Sequence, residues 1–428
     1  MVSAGITTLV VAELYPWPAT DGYRQRLHNI VGGLSQVSTV DVVAPDRPGM
    51  PPPEDPPWER VRRSLTVPVG GPQGPGGWVI DWVRGDLPRR LLSVDWSLLV
   101  DELAAWRDRY DLIWYSHVDA WEPTHDLFGS TPAIVDFDNL ENLSMRLRRR
   151  IPPRFGHSSG AAPADRIATT VRWATSRCFD LVDEHRWDAV QRRCAAQVEH
   201  VVVCSPLDVE RSRCPNAVVV ANGAEPPAQV RTDRASWFDD RPSLLFVGAL
   251  DYEPNAEAVS WFVEEVWPVV LAGRADARLR VVGRGGEALG RLVDAPGVEL
   301  LGAVSDLGPE LERADISIVP VRFGSGTRLK VVEALANHIP VVTTTVGCEG
   351  IDVVDGRTAL IADDPTSFAG AVLRLVADGS LRQGLADGGR ALFDDCYSWS
   401  GIRDAVAEIA ASSVAASRAE PSRTTAGE

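Results

Sequence analysis

The six cysteines (Cys178, Cys194, Cys204, Cys214, Cys348 and Cys396) form no Cys-x-x-Cys pair, and no histidine pair stands beside them at zinc-finger spacing. That excludes a zinc module of the usual pattern and predicts reduced, buried thiols. Cationic charge is also short. With 43 Lys and Arg against 59 Asp and Glu, the formal net charge is -16, which argues against a general nucleic-acid binder, because such affinity comes from cations that displace counterions. Any phosphate site must therefore be local. No apolar run reaches the roughly 18 residues of a membrane span, and the opening MVSAGITTLVVAELYPWP has neither a basic leader nor a small-residue cleavage pattern. A cytoplasmic protein is expected.

What is present is ordinary globular material, 45% hydrophobic and 24% charged over 428 residues. That length exceeds one core and predicts two domains. Short Val/Ile/Leu-rich runs recur as TTLVVAEL (7–14), VDVVA (40–44), DLIWYS (111–116), PAIVDF (132–137), HVVVCS (200–205) and AVVVAN (217–222), with helix-length amphipathic stretches such as Tyr23–Val37 and Trp187–Val198 among them. A second series reads SLLFVGA (243–249), RLRVVG (278–283), VELLG (298–302), DISIVPV (315–321), IPVVTTT (339–345) and TALIA (358–362). Continuous apolar strands alternating with helices predict parallel sheets covered on both faces. The fold class is therefore α/β, two Rossmann-like doubly wound domains with ligands expected in an inter-domain cleft at the C-terminal ends of the strands. The first domain is placed at 1–226, joined by a C-terminal helix at about 397–412, with a linker at 227–241, the second domain at 242–396 and a flexible tail at 413–428. The segment VGGPQGPGGWV (69–79) reads as loop, and the small polar residues of 411–428 are expected to fray.

The stretch GSGTRLKVVEALANHIPVV (324–342) carries the chemistry. It passes from a strand through glycines into a helix, whose first N–H groups and dipole favour an anion. Arg328 and Lys330 add positive charge there, although two-residue spacing puts them on different sides of a regular helix. Glu333, between Val332 and Ala334, needs a partner or must become neutral. A phosphate with an adjoining sugar or ribose hydroxyl pair answers both needs; the alternative is that the glycines merely cap the turn, the two cations are solvated and Glu333 pairs locally.

This stretch, with FVGALDYEPNAEAVSWFVEEVWP (246–268), LRVVGRGG (279–286), LLGAVSDLGPELERADISIVPV (300–321) and YSW (397–399), resembles the GT-B glycosyltransferases of family GT4 over roughly residues 6–405. The resemblance implies transfer with retention from a nucleotide-diphosphate sugar, bound mainly by the second domain, to a hydroxyl acceptor held mainly by the first. It implies no cofactor and no metal. Glu333 would bind the donor ribose, the N–H groups around Gly326, Thr327 and Leu329 the sugar and diphosphate, and Val304 the base through its backbone, with Gly302 leaving room for that ring; Gly248, Gly283 and the hydroxyl of Ser325 are also expected on the donor side. Ser325 stands where many relatives carry an earlier glutamate, eight positions before Glu333, and VGALDYEPN lacks the arginine and lysine that many relatives place after the strand. Arg328 and Lys330 are therefore expected to hold the leaving diphosphate, which would itself accept the incoming hydroxyl's proton.

In the first domain the resemblance points to Gly22 at a helix start, with Arg24 and Arg26 after it, on the acceptor side. Asp138 and Asn139 stand about where many relatives show His-Asp, so Asp138 is expected to hydrogen-bond acceptor or transferred sugar, with a strand-end cap as the alternative. Arg146, Arg148, Arg149, Arg150 and Arg154 form a basic run, solvated by default or else touching an anionic acceptor or a peripheral membrane surface. His117 and His125 read as structural or surface residues. A nucleotide-sugar epimerase and a catalytically silent nucleotide-binding partner are the competing readings.

Overall fold

The computed structural model describes residues 5–47, 50–70, 77–106, 110–149, 163–324, 326 and 328–419. Ser325, Thr327, Arg150 and Arg154 lie outside that set, as does the side chain of Arg148.

The chain forms two compact units. The first contains β1 (Ile6–Val11), β2 (Ser38–Asp46), β3 (Val61–Pro68), β4 (Leu112–Tyr115), β5 (Ala133–Phe137), β6 (His200–Val203) and β7 (Ala217–Val219). Its sheet has the order β3-β2-β1-β4-β5-β6-β7, parallel throughout. Unbroken apolar runs such as ITTLVV and HVVV suit strands covered on both faces, and Trp114, Trp121 and Trp187 lie fully buried beside them. Strand β3 is the one the apolar pattern misses. Its sequence VRRSLTVP lies at the sheet edge half exposed, and Arg62 and Arg63 both reach the buried Asp41 of β2.

Two further differences follow from local packing. Residues 77–79, expected as loop, begin the helix Gly77–Arg84, whose Trp82 indole donates to Asp183 at 2.8 Å and meets Phe179 edge-on. The last helix, Trp399–Ala419, runs through the segment expected to fray. From Ser400 onward it belongs to the first unit. Val406 and Val414 are buried, Arg403 donates to Asn29 at 2.6 Å, and Arg418 pairs with Asp111 at 2.7 Å.

The second unit, residues 222–399, contains β8 (Ser243–Val247), β9 (Arg278–Val282), β10 (Val298–Gly302), β11 (Ile316–Val319), β12 (Val341–Thr343) and β13 (Leu360–Ile361). The order is β10-β9-β8-β11-β12-β13, again parallel. The segment expected as linker is fastened to this unit. Arg231 pairs with Asp315 at 2.8 Å, and the buried Arg234 donates to the carbonyls of Ala314 and Asn337, which end two helices. A guanidinium at helix C-termini satisfies carbonyls that have no partner within the helix.

No disulfide forms. Cys194, Cys204, Cys214 and Cys348 are buried, whereas Cys178 and Cys396 are exposed, contrary to the expectation for all six.

Candidate functional site

In open parallel sheets ligands collect where the strand order reverses, outside the C-terminal strand ends. In the second unit that point lies between β8 and β11. Three glycines floor it. The N–H of Gly248, just after β8, donates to Val282 O at 2.9 Å, and that of Gly283 donates to Gly302 O at 2.8 Å. Gly283 has φ +151°, and a Cβ there would lie 1.9 Å from the Gly248 carbonyl oxygen. Only glycine lets these strand ends approach so closely. Gly302 (φ +70°) and Gly326 (φ +81°) would each direct a Cβ into open space, and Val304 is partly exposed beyond β10.

The loop after β11 leads into the helix Leu329–Ala336, which no side chain among the described residues caps at its start. Arg328 is not in the first turn but in the residue before it, with φ -83° and ψ 79°. The helical-spacing argument that separated it from Lys330 therefore does not apply. Arg328 is buried, and a Cβ on Gly324 would come within 3.0 Å of its guanidinium. Burial pulls the Arg328 pKa down, partly offset by Tyr252 and Glu349.

Lys330 turns towards the end of β8. Its Nζ donates to Asn255 Oδ1 at 2.6 Å and sits 4.3 Å from the centre of the Phe246 ring. Burial, then the Arg328 charge, brings its pKa down to about 7. Glu333 lies one turn further on, and burial raises its pKa to about 7, opposed by Lys330. Two cations at an uncapped helix start, beside a carboxyl ready to accept hydroxyls, form a place for a polyanion with a sugar attached. The sequence held a stronger signal for this site than spacing: of the 43 Lys and Arg residues, Lys330 is the only lysine.

The order of the first sheet reverses between β1 and β4, and a charged cluster occupies that point. Glu13 follows β1, while Ser116, His117 and Asp119 follow β4. Arg90 donates to Asp119, Glu141 and Glu13 at 2.7, 2.7 and 3.3 Å. His117 is buried, with Nδ1 bonded to Asp119 and Nε2 lying 3.7 Å from Asp138 Oδ1. Burial works against the imidazolium, but Asp119 and Glu13 prevail and raise its pKa to about 9. Asp138 is pushed up to about 6, by burial first, with His117 opposing. Glu13, His117 and Asp119 are the residues whose ligand atoms converge closely enough to hold a metal among those described, yet the Arg90 guanidinium already neutralises their charge. The sequence, read for motifs, left His117 as a structural or surface residue; its signal is its position directly after a buried strand.

Other expected residues are committed elsewhere. Gly22 opens the helix Gly22–Val37, but Asp21 caps that helix and pairs with Arg24 at 2.5 Å. Arg24 also donates to Tyr15 O. Arg26 is buried and bidentate to Asp136 at 2.7 and 2.8 Å, with its remaining arm on Val220 O. Arg24 is committed to the cap of its own helix, and Arg26 balances the buried Asp136. Asn139 bonds Glu141 and Ser144, holding the next helix. Arg146 and Arg149 both pair with Glu184, so these two members of the basic run are not simply solvated. His125 stacks on Trp121 at 4.1 Å, a structural placement.

Residues 241–378 match the family model for Glycosyl transferases group 1. An uncharacterized glycosyltransferase of Methanocaldococcus jannaschii is 30% identical over 120 residues, 26% of this chain and 34% of that protein. The chain thus matches about a third of the length of its curated relatives. Among solved structures, sucrose-phosphate synthase from Thermosynechococcus elongatus aligns with a TM-score of 0.66 and 17% identity, over 96% of this chain and 100% of that one. Anabaena HepE in complex with UDP and glucose aligns with a TM-score of 0.58 and 12% identity, over 95% and 100%. The fold is GT-B, with two Rossmann-like units. Among the described residues no helix is long and apolar enough to cross a membrane.

Proposed function

We propose, from the match of residues 241–378 to the family model for Glycosyl transferases group 1, that this chain moves a sugar from a nucleotide-diphosphate donor to an acceptor hydroxyl with retention of configuration, as in family GT4. The observation that carries this reading is the juxtaposition of Arg328, Lys330 and an uncapped helix start with the glycine-lined ends of β8, β9 and β10.

In this reading the diphosphate lies on the start of the helix Leu329–Ala336, with Arg328 and Lys330 neutralising it without a divalent metal. Many relatives bring their cations from the loop after the first strand of this unit. Here Lys330, from the helix after β11, reaches the end of β8, its Nζ placed so close that a Cβ on Gly248 would lie 2.8 Å from it. Glu333 takes the ribose hydroxyls, and Gly302 with Val304 borders the base. Gly326 and Leu329 supply backbone contacts to the sugar and diphosphate. The acceptor oxygen attacks the anomeric carbon as its bond to the diphosphate breaks, and the departing phosphate oxygen takes the acceptor's proton. Stabilising that leaving group is the principal catalytic contribution, so the two cations outrank any carboxylate. In the first unit the proposed groups for sugar hydroxyls are Asp138 and His117, which lie 3.7 Å apart, with Gly22 proposed on the acceptor side.

The test is a thermal-shift and calorimetric screen against UDP-, GDP-, dTDP- and ADP-sugars, beginning with UDP-glucose because HepE was crystallised with UDP and glucose. One donor should raise the melting temperature, since a ligand that binds only the folded state stabilises it, and should release its nucleoside diphosphate slowly in the absence of acceptor. A chain that binds none of the four, or whose Arg328→Ala and Lys330→Ala variants bind as tightly as the wild type, does not work this way.

A further inference from the structure

Asn255 has no place in the reaction just described, yet it is buried and makes two directed bonds. Its Oδ1 accepts from Lys330 Nζ at 2.6 Å, and its Nδ2 donates to Ala249 O at 2.8 Å. The second bond fixes which end of the amide faces the lysine: the backbone carbonyl takes the NH2 group, so the oxygen is left for the ammonium. The Phe246 ring, 4.3 Å from Nζ, borders the same ammonium. Gly248 completes the enclosure, because a Cβ there would lie 2.8 Å from both Lys330 Nζ and Asn255 Nδ2.

We infer that Asn255 is a positioning residue for the diphosphate site: it holds the Lys330 ammonium over the end of β8, aimed at the ligand, and favours its charged form against the burial that opposes it. This rests on the reading that Lys330 meets the diphosphate. Lysine is a flexible point charge whose use at a defined spot costs side-chain entropy, and a neutral acceptor fixed by the backbone offsets that cost without adding a carboxylate that would repel the ligand. Asn255 and Phe246 on the neighbouring elements are uncharged. The charges bearing on Lys330 are Arg328, which disfavours its protonation, and Glu333, which favours it.

The absence of other lysines allows a direct measurement. Competitive acetylation with acetic anhydride across pH 6–10, read by mass spectrometry on the Lys330 peptide, reports the ionisation of that amine alone. UDP, GDP, dTDP and ADP are titrated calorimetrically, and the tightest binder is carried through the variants, with its parent nucleoside as control. Asn255→Ala should weaken the diphosphate about tenfold, the loss of one bond to a charged group, and leave the nucleoside unchanged. It should also shift the Lys330 titration to lower pH, whereas Asn255→Asp, which places a negative charge on the same oxygen, should shift it higher. The double variant Asn255→Ala/Lys330→Ala should bind no more weakly than Lys330→Ala alone.

If Lys330→Ala weakens the diphosphate but Asn255→Ala neither weakens it nor moves the titration, or if the two losses add, the positioning role is wrong and the donor site stands. If no diphosphate binds, or Lys330→Ala binds normally, the donor reading fails and the inference with it. Should Asn255→Ala fail to fold, the Asn255→Asp titration decides: an unmoved midpoint overturns the proposal.

Discussion

Lys330 and Glu333 are ionisable groups whose charges the apo protein suppresses, each to a pKa of about 7. A diphosphate restores the lysine's proton. Donor binding should therefore take up protons above pH 7, and affinity should fall as pH rises from there towards the bound-state pKa; calorimetry in buffers of different ionisation enthalpy measures the uptake. Lys330→Ala should cost a few kcal/mol of donor binding if the pair is desolvated. Lys330→Arg should not rescue it, because a planar fork does not fit the enclosure formed by Gly248, Asn255 and Phe246. His117 makes the opposite contribution to stability. Its pKa rises from 6.5 to about 9 on folding, so the folded state binds its proton more tightly. The stability it contributes is complete below about pH 6.5 and is lost as pH climbs through 9. Lys330, depressed on folding, contributes the reverse slope above pH 7, so the quantity to measure is the difference between wild type and His117→Gln in urea unfolding at pH 6 and pH 9. That difference should shrink at the higher pH.

At the level of strands and helices, the glycine floor makes a separable prediction. Gly248→Ala pushes on the ends of two side chains rather than on backbone. It should therefore cost about 1–3 kcal/mol of stability at most, while diphosphate affinity falls by at least about tenfold as the ammonium is displaced; melting curves and calorimetry on one preparation separate the two effects. The apolar strands were readable from sequence because parallel sheets bury both faces, as in HVVV and SLLFV. Strand β3 was not, because an edge strand with Arg62 and Arg63 facing a buried acid carries no such run. The helix Gly77–Arg84 was hidden by the glycines and prolines before it. The strand–glycine–helix element and its residues Arg328, Lys330 and Glu333 were legible from local spacing. The direction of Lys330 was not, since it depends on Asn255, seventy-five residues earlier. Arg26 looked like a ligand-facing residue because its partner, Asp136, is 110 positions away.

At the scale of the molecule, the last helix decides whether the first unit is complete. Ile402, Val406, Ala410 and Val414 are buried on a helix that the chain reaches only after the whole second unit. Removing residues 400–428 should destabilise the first unit by several kcal/mol, since burying one such aliphatic side chain contributes about 1.5–3 kcal/mol. Limited proteolysis should then cut residues 5–221 faster than residues 242–396. A deletion that leaves both units equally resistant would show that the helix is ornamental.

The same helix sets a timetable for synthesis. A ribosome delivers the closing piece of the first-made half only after the whole second unit, at about 5–20 residues per second. Until then the nascent half keeps an oily groove open, while the later half can already fold behind it. A chain cut short just after residue 399 would therefore have one sound half and one exposed to chaperones and proteases.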